Sequence, residues 1–317
     1  QVEFWKSLLN ESQPQSHSAS EGVNQNASAR RRSAAVAKIT SNLSREDFIA
    51  KVVRVQQYIR TGDIYQVNLS QRLAAPCGCS GWDLFTRLLA VSPAPFAAYL
   101  DCGDFQIASS SPEQFLRMSG AHIVTRPIKG TRARSATPAQ DQALSDDLLA
   151  SPKDRAENLM IVDLLRNDLG RYCTPGSIRV PELFALESYP NVHHMVSSVT
   201  GTLAKPYNAL DVLIGSFPGG SITGAPKRRA MQIISELEAS VRSSYCGSIF
   251  YLDTRGEMDS SITIRTLLAN HGAISCWGGG GIVYDSTIDD EYQESIQKVQ
   301  ALMSALEELH TAPTAPI

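Results

Sequence analysis

Apolar residues recur along the chain with two distinct periods. Phe48, Val52, Val55 and Ile59 are spaced as on one face of a helix, after Ser44, which can cap it, and before Gly62, which ends it. The period then becomes two. Over Ile64–Leu73, Tyr65, Val67 and Leu69 fall on one face of a strand, with Gln66, Asn68 and Ser70 on the other. Further strand-like runs are Phe96–Cys102, Phe105–Ser109, His122–Ile128, Val192–Leu203, Tyr245–Leu252, Ser260–Ala269 and Ala273–Trp277. Helical patterns cover Trp82–Val91, Pro152–Leu169, Leu210–Phe217, Lys227–Leu237 and Asp290–Leu309. Many strands follow one another through turns, without regularly alternating helices. This predicts an α+β fold with large antiparallel sheets, not a doubly wound parallel sheet.

Residues 11–37 are rich in Ser, Gln, Asn and Ala and lack any apolar period, so they read as a linker or disordered segment. Thr311 to Ile317 mix Ala, Thr and Pro and read as a frayed tail. The expected organisation is an N-terminal remnant and disordered linker over 1–38, one domain carrying the chemistry over 39–310, and a disordered tail over 311–317.

Composition removes several function classes. With a net charge of -3 in 317 residues, no basic stripe is available for nucleic acid beyond Arg30-Arg31-Arg32, which reads as a solvated linker element. No apolar run reaches the roughly 18–20 residues of a membrane helix, and the N-terminus has no signal-peptide core. Six scattered cysteines, of which only Cys77 and Cys79 are close, suggest reduced thiols in a cytoplasmic protein and no zinc site.

Candidate chemistry falls in four places. In the helix opened by Ser151-Pro152, Asp154 and Glu157 are three apart and share a face; in the last helix Glu291, Glu294 and Lys298 fall at i, i+3 and i+7, again on one face. Two such stripes could hold a hard cation such as Mg²⁺, or be two solvated helix faces. The glycine-rich stretches 219–227 and 278–281 lack phosphate-loop spacing. They read either as tight turns at positive φ or as close-approach sites for an anionic ligand, the Thr223–Lys227 segment opening a helix whose N-terminus favours anions. Lys129 sits among apolar residues, with Arg126, Arg132 and Arg134 nearby in sequence. Cationic neighbours and desolvation would make its amine nucleophilic; a solvated strand-end lysine is the alternative.

Four long stretches resemble one family: KDRAENLMIVDLLRNDLGR at 153–171, FPGGSITGAPKRRAM at 217–231, YCGSIFYL with MDSSITIRTL over 245–267, and GGGGIVYDSTIDDEYQESIQKV at 278–299. The chain is similar there to the chorismate-binding enzymes, which include anthranilate, aminodeoxychorismate, isochorismate and salicylate synthases. The resemblance spans about Thr40 to Leu309 and implies large antiparallel sheets packed as a sandwich with helices outside. Relatives carry roughly a hundred or more further residues before the first helix, an appreciable part of a domain, which makes a fragment the expectation for this chain.

The resemblance assigns roles to residues. Pro127-Ile128-Lys129-Gly130-Thr131 matches the nucleophile motif of the amino-transferring members, and Gln66 stands where water-adding members carry a lysine. This implies a magnesium-dependent transfer of nitrogen to chorismate in p-aminobenzoate and folate biosynthesis, through a covalent lysine adduct. Lys129 would be the nucleophile, Glu113 the general acid, and His194 a residue near the ring, with His193 structural. Glu157 and Glu294 would bind Mg²⁺ directly, with Asp154 and Glu291 behind them. Arg265 and Tyr245 would grip the enolpyruvyl carboxylate, while Gly130, Thr131, Gly279, Gly281, Lys298, Gln66 and Thr223 line the pocket. Ammonia would come from a separate glutamine amidotransferase (glutaminase) subunit. The alternatives are an anthranilate-type synthase that releases pyruvate and a non-catalytic relative.

Overall fold

The structure, a computed structural model, describes residues 39–76 and 78–311. The expectations for 1–38, for Cys77 and for 312–317 lie outside the described residues. In chain order the first elements are β1 (Thr40–Ser41), α1 (Arg45–Arg60), β2 (Gln66–Pro76), α2 (Gly81–Val91), β3 (Phe96–Asp101), β4 (Phe105–Ser111), β5 (Gln114–Ser119), β6 (His122–Arg126) and β7 (Ile128–Ala133). Next come α3 (Pro138–Ala150), α4 (Pro152–Gly170), β8 (Arg179–Ser188), β9 (Val192–Thr202), α5 (Ala209–Ser216), β10 (Gly224–Ala225) and α6 (Lys227–Leu237). The last are β11 (Ser248–Leu252), β12 (Met258–Ile262), β13 (Thr266–Asn270), β14 (Ala273–Ile282) and α7 (Ile288–Thr311).

The strands form two antiparallel sheets, as the sequence predicts. The first runs β1-β2-β14-β13-β4-β3, with β10 also on β2; the second runs β11-β12-β5-β6-β9-β7, with β8 on β9. Three apolar cores cover them. Phe48, Val52 and Val55 of α1 and Ala230, Ile233 and Leu237 of α6 pack on Val67, Leu69 and Ile282. Leu84 and Leu88 of α2, with Val299 and Leu302 of α7, pack on Leu73, Leu267 and Ile274. On the second sheet, Ile161, Leu165 and Leu169 of α4 meet Leu116, Ile123 and Val199. Each such buried side chain contributes about 1.5–3 kcal/mol. Trp277 of β14 joins this last core and stacks on Tyr245 at 6.1 Å between centroids, which links the two sheets.

Local rules explain the best-marked elements. Ser44 caps α1 through the Asp47 N–H, and Gly62 follows with φ 80°. Ser151 caps α4 through the Asp154 N–H, with Pro152 in the first turn. Three expectations change. The run Ser260–Ala269 is two strands, broken where Arg265 takes φ 51°, and His122–Ile128 divides at Pro127. Helix α3 and strands β5 and β8 were not marked by any period. The tight-turn reading of Gly278–Gly281 is wrong: all four lie inside β14, without positive φ, and what they provide is space.

Candidate active site

The centre of the site is the meeting of β7 with the inner face of β2 and β14. Between Ile128 and Thr131 the pairing of β7 with β9 slips, and Gly130 takes φ 89°. Such a bulge re-aims the adjacent side chain. A Cβ at Gly130 would come 2.8 Å from Leu148 and 3.1 Å from Asp154, so glycine is required twice over. Lys129 then reaches β14. A methyl group at Gly281 would stand 3.5 Å from Lys129 Nζ and 2.7 Å from Gln66 Nε2. Lys129, Gln66 and Gly281 are thus brought together. Gln66 is fully buried, with neither amide atom hydrogen-bonded.

Glu113, in the short link from β4 to β5, is 5% exposed. Burial pushes its carboxyl above the ordinary range, opposed by the Ser221 hydroxyl, the Lys129 amine and the Ile128 amide. A carboxyl whose burial favours the protonated form can serve as an acid. Ser221, which sequence reasoning missed, belongs to this group. The arginines expected to act on Lys129 do not. Arg126 pairs with Glu182 and Glu187, Arg132 with Asp147 and Asp154, and Arg134 with Asp141. Lys129 interacts instead with the carboxyl groups of Glu113, Glu157 and Glu294.

The two acidic stripes do converge. Glu291 Oε2 and Glu294 Oε1 would lie 3.0 and 3.2 Å from a Cβ at Gly280, and Glu157 interacts with Glu294, Asp154 and Glu291. Cations stand between them. Lys298 Nζ lies 2.6 Å from Glu294, Lys153 Nζ 3.9 Å from Glu291, and Arg132 3.1 Å from Asp154. Among the described residues, no three His, Cys, Asp or Glu side chains are close enough together to hold a metal ion in this arrangement. The donor chemistry nevertheless fits a hard cation. Glu291 is 3% exposed, its Oε2 has no hydrogen-bond partner, and burial ahead of Glu294 pushes its carboxyl up to about 7 despite the Ser286 hydroxyl. Buried carboxylates are paired or coordinate metals. Burial raises Glu157 too, whereas Glu294, though burial acts against it, is held low by Lys298.

A third group lies at a neighbouring opening of about 210 Å³ lined by His194, Arg265, Lys298, Tyr189 and Pro112. His194 is 2% exposed, and its Nδ1 is 2.9 Å from Thr131 Oγ1. Burial, and then Arg265, lower its pKa to about 4, so the ring is neutral. Arg265, itself desolvated, needs an anion to offset that burial. Lys298 also donates to the Gly279 carbonyl at 3.0 Å. His193 is structural, as expected: Ser188 and Asp141 hold its two nitrogens. Two expected pocket residues are held by other partners. The Thr223 hydroxyl donates to the Gly219 carbonyl at 2.9 Å, and Tyr245 lies between Trp277, Arg242 and Asn68. The helix N-terminus at α6 is not left open to an anion by its lysine, since Lys227 pairs with Asp168 at 2.6 Å.

Comparisons agree with this geometry. A sequence model of the family described as chorismate binding enzyme matches residues 3–304. Aminodeoxychorismate synthase component 1 of Klebsiella aerogenes is 52% identical over 267 residues, covering 84% of this chain and 59% of that protein. Anthranilate synthase component 1 of Acetivibrio thermocellus is 43% identical, covering 85% and 55%. The crystal structure of anthranilate synthase component I from Streptococcus pneumoniae superposes with a TM-score of 0.81 at 32% identity, covering 95% of this chain and 65% of that one. The chain therefore spans little more than half the length of the first two relatives.

Proposed function

The chain belongs to the chorismate-binding enzyme family, and from that premise we propose that it carries the catalytic part of an aminodeoxychorismate synthase, component I. The substrate is chorismate and the product 4-amino-4-deoxychorismate, a precursor of p-aminobenzoate. The observation that carries this reading is the Lys129 amine, set beside Gln66 and Gly281 and facing the buried carboxyl of Glu113.

Two allylic displacements account for the chemistry. The Lys129 amine attacks ring carbon C2 as the C4 hydroxyl leaves, and Glu113 gives that hydroxyl its proton, so that water departs. Ammonia then attacks C4 and expels the lysine amine, leaving nitrogen where oxygen was. The neutral His194 ring, held by Thr131, borders the substrate ring, and Arg265 binds a substrate carboxylate through its guanidinium. Glu157 and Glu294, with Asp154 and Glu291 behind them, would hold Mg²⁺, whose charge would draw the other substrate carboxylate. Ammonia is expected from a glutaminase subunit. An outer groove of about 950 Å³ that includes Tyr65, Leu159, Phe217, Pro226 and Met231 adjoins the residues before Gln66 and after Glu157 and supports such docking. Among the described residues no helix is long and apolar enough to cross a membrane.

The test is product analysis by mass spectrometry after incubation with chorismate, Mg²⁺ and ammonium, alongside Lys129→Ala. Aminodeoxychorismate without pyruvate, and a trapped adduct lost in the variant, are expected. Anthranilate with pyruvate, or an equally active Lys129→Ala, would overturn the reading.

A further inference from the structure

Native interiors pair nearly all of their buried polar groups, so an unpaired one beside a reactive site is informative. On the inner face of β2, next to Gln66, stands Asn68. It is 5% exposed, and its Nδ2 has no hydrogen-bond partner. Its backbone is fixed on both sides: its N–H donates to the Thr223 carbonyl at 2.8 Å, and its carbonyl accepts from Arg242 at 2.8 Å. These bonds fix the point on the strand from which the side chain projects.

Its surroundings have been kept clear. The residue paired with Asn68 across the ladder is Gly281, which places no side chain beside it. A methyl group there would meet Gln66 and approach Lys129 Nζ to 3.5 Å, so the space opposite Asn68 is continuous with the space beside the amine. Its carboxamide also acts on the Tyr245 hydroxyl, at the limit of hydrogen-bonding range, yet Nδ2 has no partner within 3.5 Å. Asn68 therefore offers its amide hydrogens, next to a hydroxyl, to the space that Gly281 leaves open. Both are neutral donors, and their counterpart is an oxygen acceptor. The acidic cluster lies on the opposite face of β14, on the Gly280 side, so Asn68 addresses the end of the substrate remote from that cluster.

We infer that Asn68 is a substrate-binding residue, which donates its unpaired amide hydrogens to a carboxylate oxygen of the substrate beside Tyr245. The inference rests on the chorismate reading above. An asparagine kept for structure would have its amide satisfied within the protein, and its loss would destabilise the fold. One kept for the substrate is a burden to the free protein, so an apolar residue of the same size should not lower stability.

The experiment measures equilibrium binding of chorismate by calorimetry, with Mg²⁺ and without ammonia, for the wild type, Asn68→Leu and Asn68→Asp, together with the melting temperature of each. Asn68→Leu is expected to melt no lower than the wild type and to bind at least about tenfold more weakly, as loss of a hydrogen bond to a charged group requires. Asn68→Asp, which sets a negative charge against the carboxylate, should bind more weakly still. Unchanged binding by Asn68→Leu, a lowered melting point in that variant, or tighter binding by Asn68→Asp than by Asn68→Leu would each overturn the inference alone. A wild type that binds no chorismate would overturn the proposed function and this inference with it.

Discussion

His194 ties the electrostatics of the site to a measurable property of the whole fold. The imidazole is 2% exposed, and its pKa falls from the ordinary 6.5 to about 4, because burial and then Arg265 oppose a second proton. In the unfolded chain the ring takes up that proton as pH drops through 6.5; in the folded protein it does so only near 4. Between these values the unfolded state binds more protons. The His194 contribution to stability is therefore complete above the upper value and is lost progressively towards the lower one. Over the whole window the loss is about 3 kcal/mol, and from about pH 7.5 to about pH 5 it is roughly 2 kcal/mol. The perturbation is His194→Asn, whose carboxamide can still meet Thr131. The assay is chemical denaturation at a series of pH values for both proteins. Differences between the two curves cancel the other titrating groups. The wild type should lose stability more steeply than the variant on acidification, by up to ~1.4 kcal/mol per pH unit inside the window. Parallel curves would refute the reasoning, since they would mean that the folded protein accepts the proton on His194 as readily as water does.

Further expectations concern the metal, the buried ion pair and the core. Mg²⁺ at about a hundredfold excess over its dissociation constant should stabilise the wild type by about 2.7 kcal/mol in thermal denaturation; Glu291→Gln should show almost none of this. Gly280→Ala would bring a methyl group to 3.0 Å from Glu291 and 3.2 Å from Glu294, and should weaken the same Mg²⁺ response while the protein stays folded by circular dichroism. Lys227→Met leaves Asp168, 4% exposed at its side chain, as an uncompensated buried charge. It should cost about 3–5 kcal/mol in denaturant unfolding, and Asp168→Asn less. Leu88→Ala, at a fully buried α2 position, should cost about 2–5 kcal/mol by the same measurement.

Legibility in the sequence followed the reach of the interactions. Helix α6 coincides with its expected span, Lys227–Leu237, and α1 starts at its expected cap, because an apolar stripe and a local cap decide both. Helix α3 buries only Ser145 and Leu148, too little to make a period. Strand β8 slips register twice against β9, and Phe184 takes φ 59° within it, so its alternation is lost. The carboxylate stripes were visible because spacing of three or four on a helix is a local rule. Ser221 beside Glu113 and Asn68 beside Tyr245 were invisible, being pairs set by sheet packing over long separations. The arginines near Lys129 misled for the same reason. Proximity along a strand does not make two side chains neighbours, and these three arginines find carboxylates of their own in place of Lys129.

The glycine run in β14 makes that strand a partition one backbone thick between two compartments of different chemistry. Position 280 opens towards the acidic helix, and position 281 towards the glutamine and the amine. A side chain added at 280 is therefore met first by Glu291 and Glu294, and one added at 281 by Gln66 and Lys129. Two consecutive residue numbers become two addresses. An engineer who wants to retune cation binding should work at 280, and one who wants to reshape the space around the amine should work at 281.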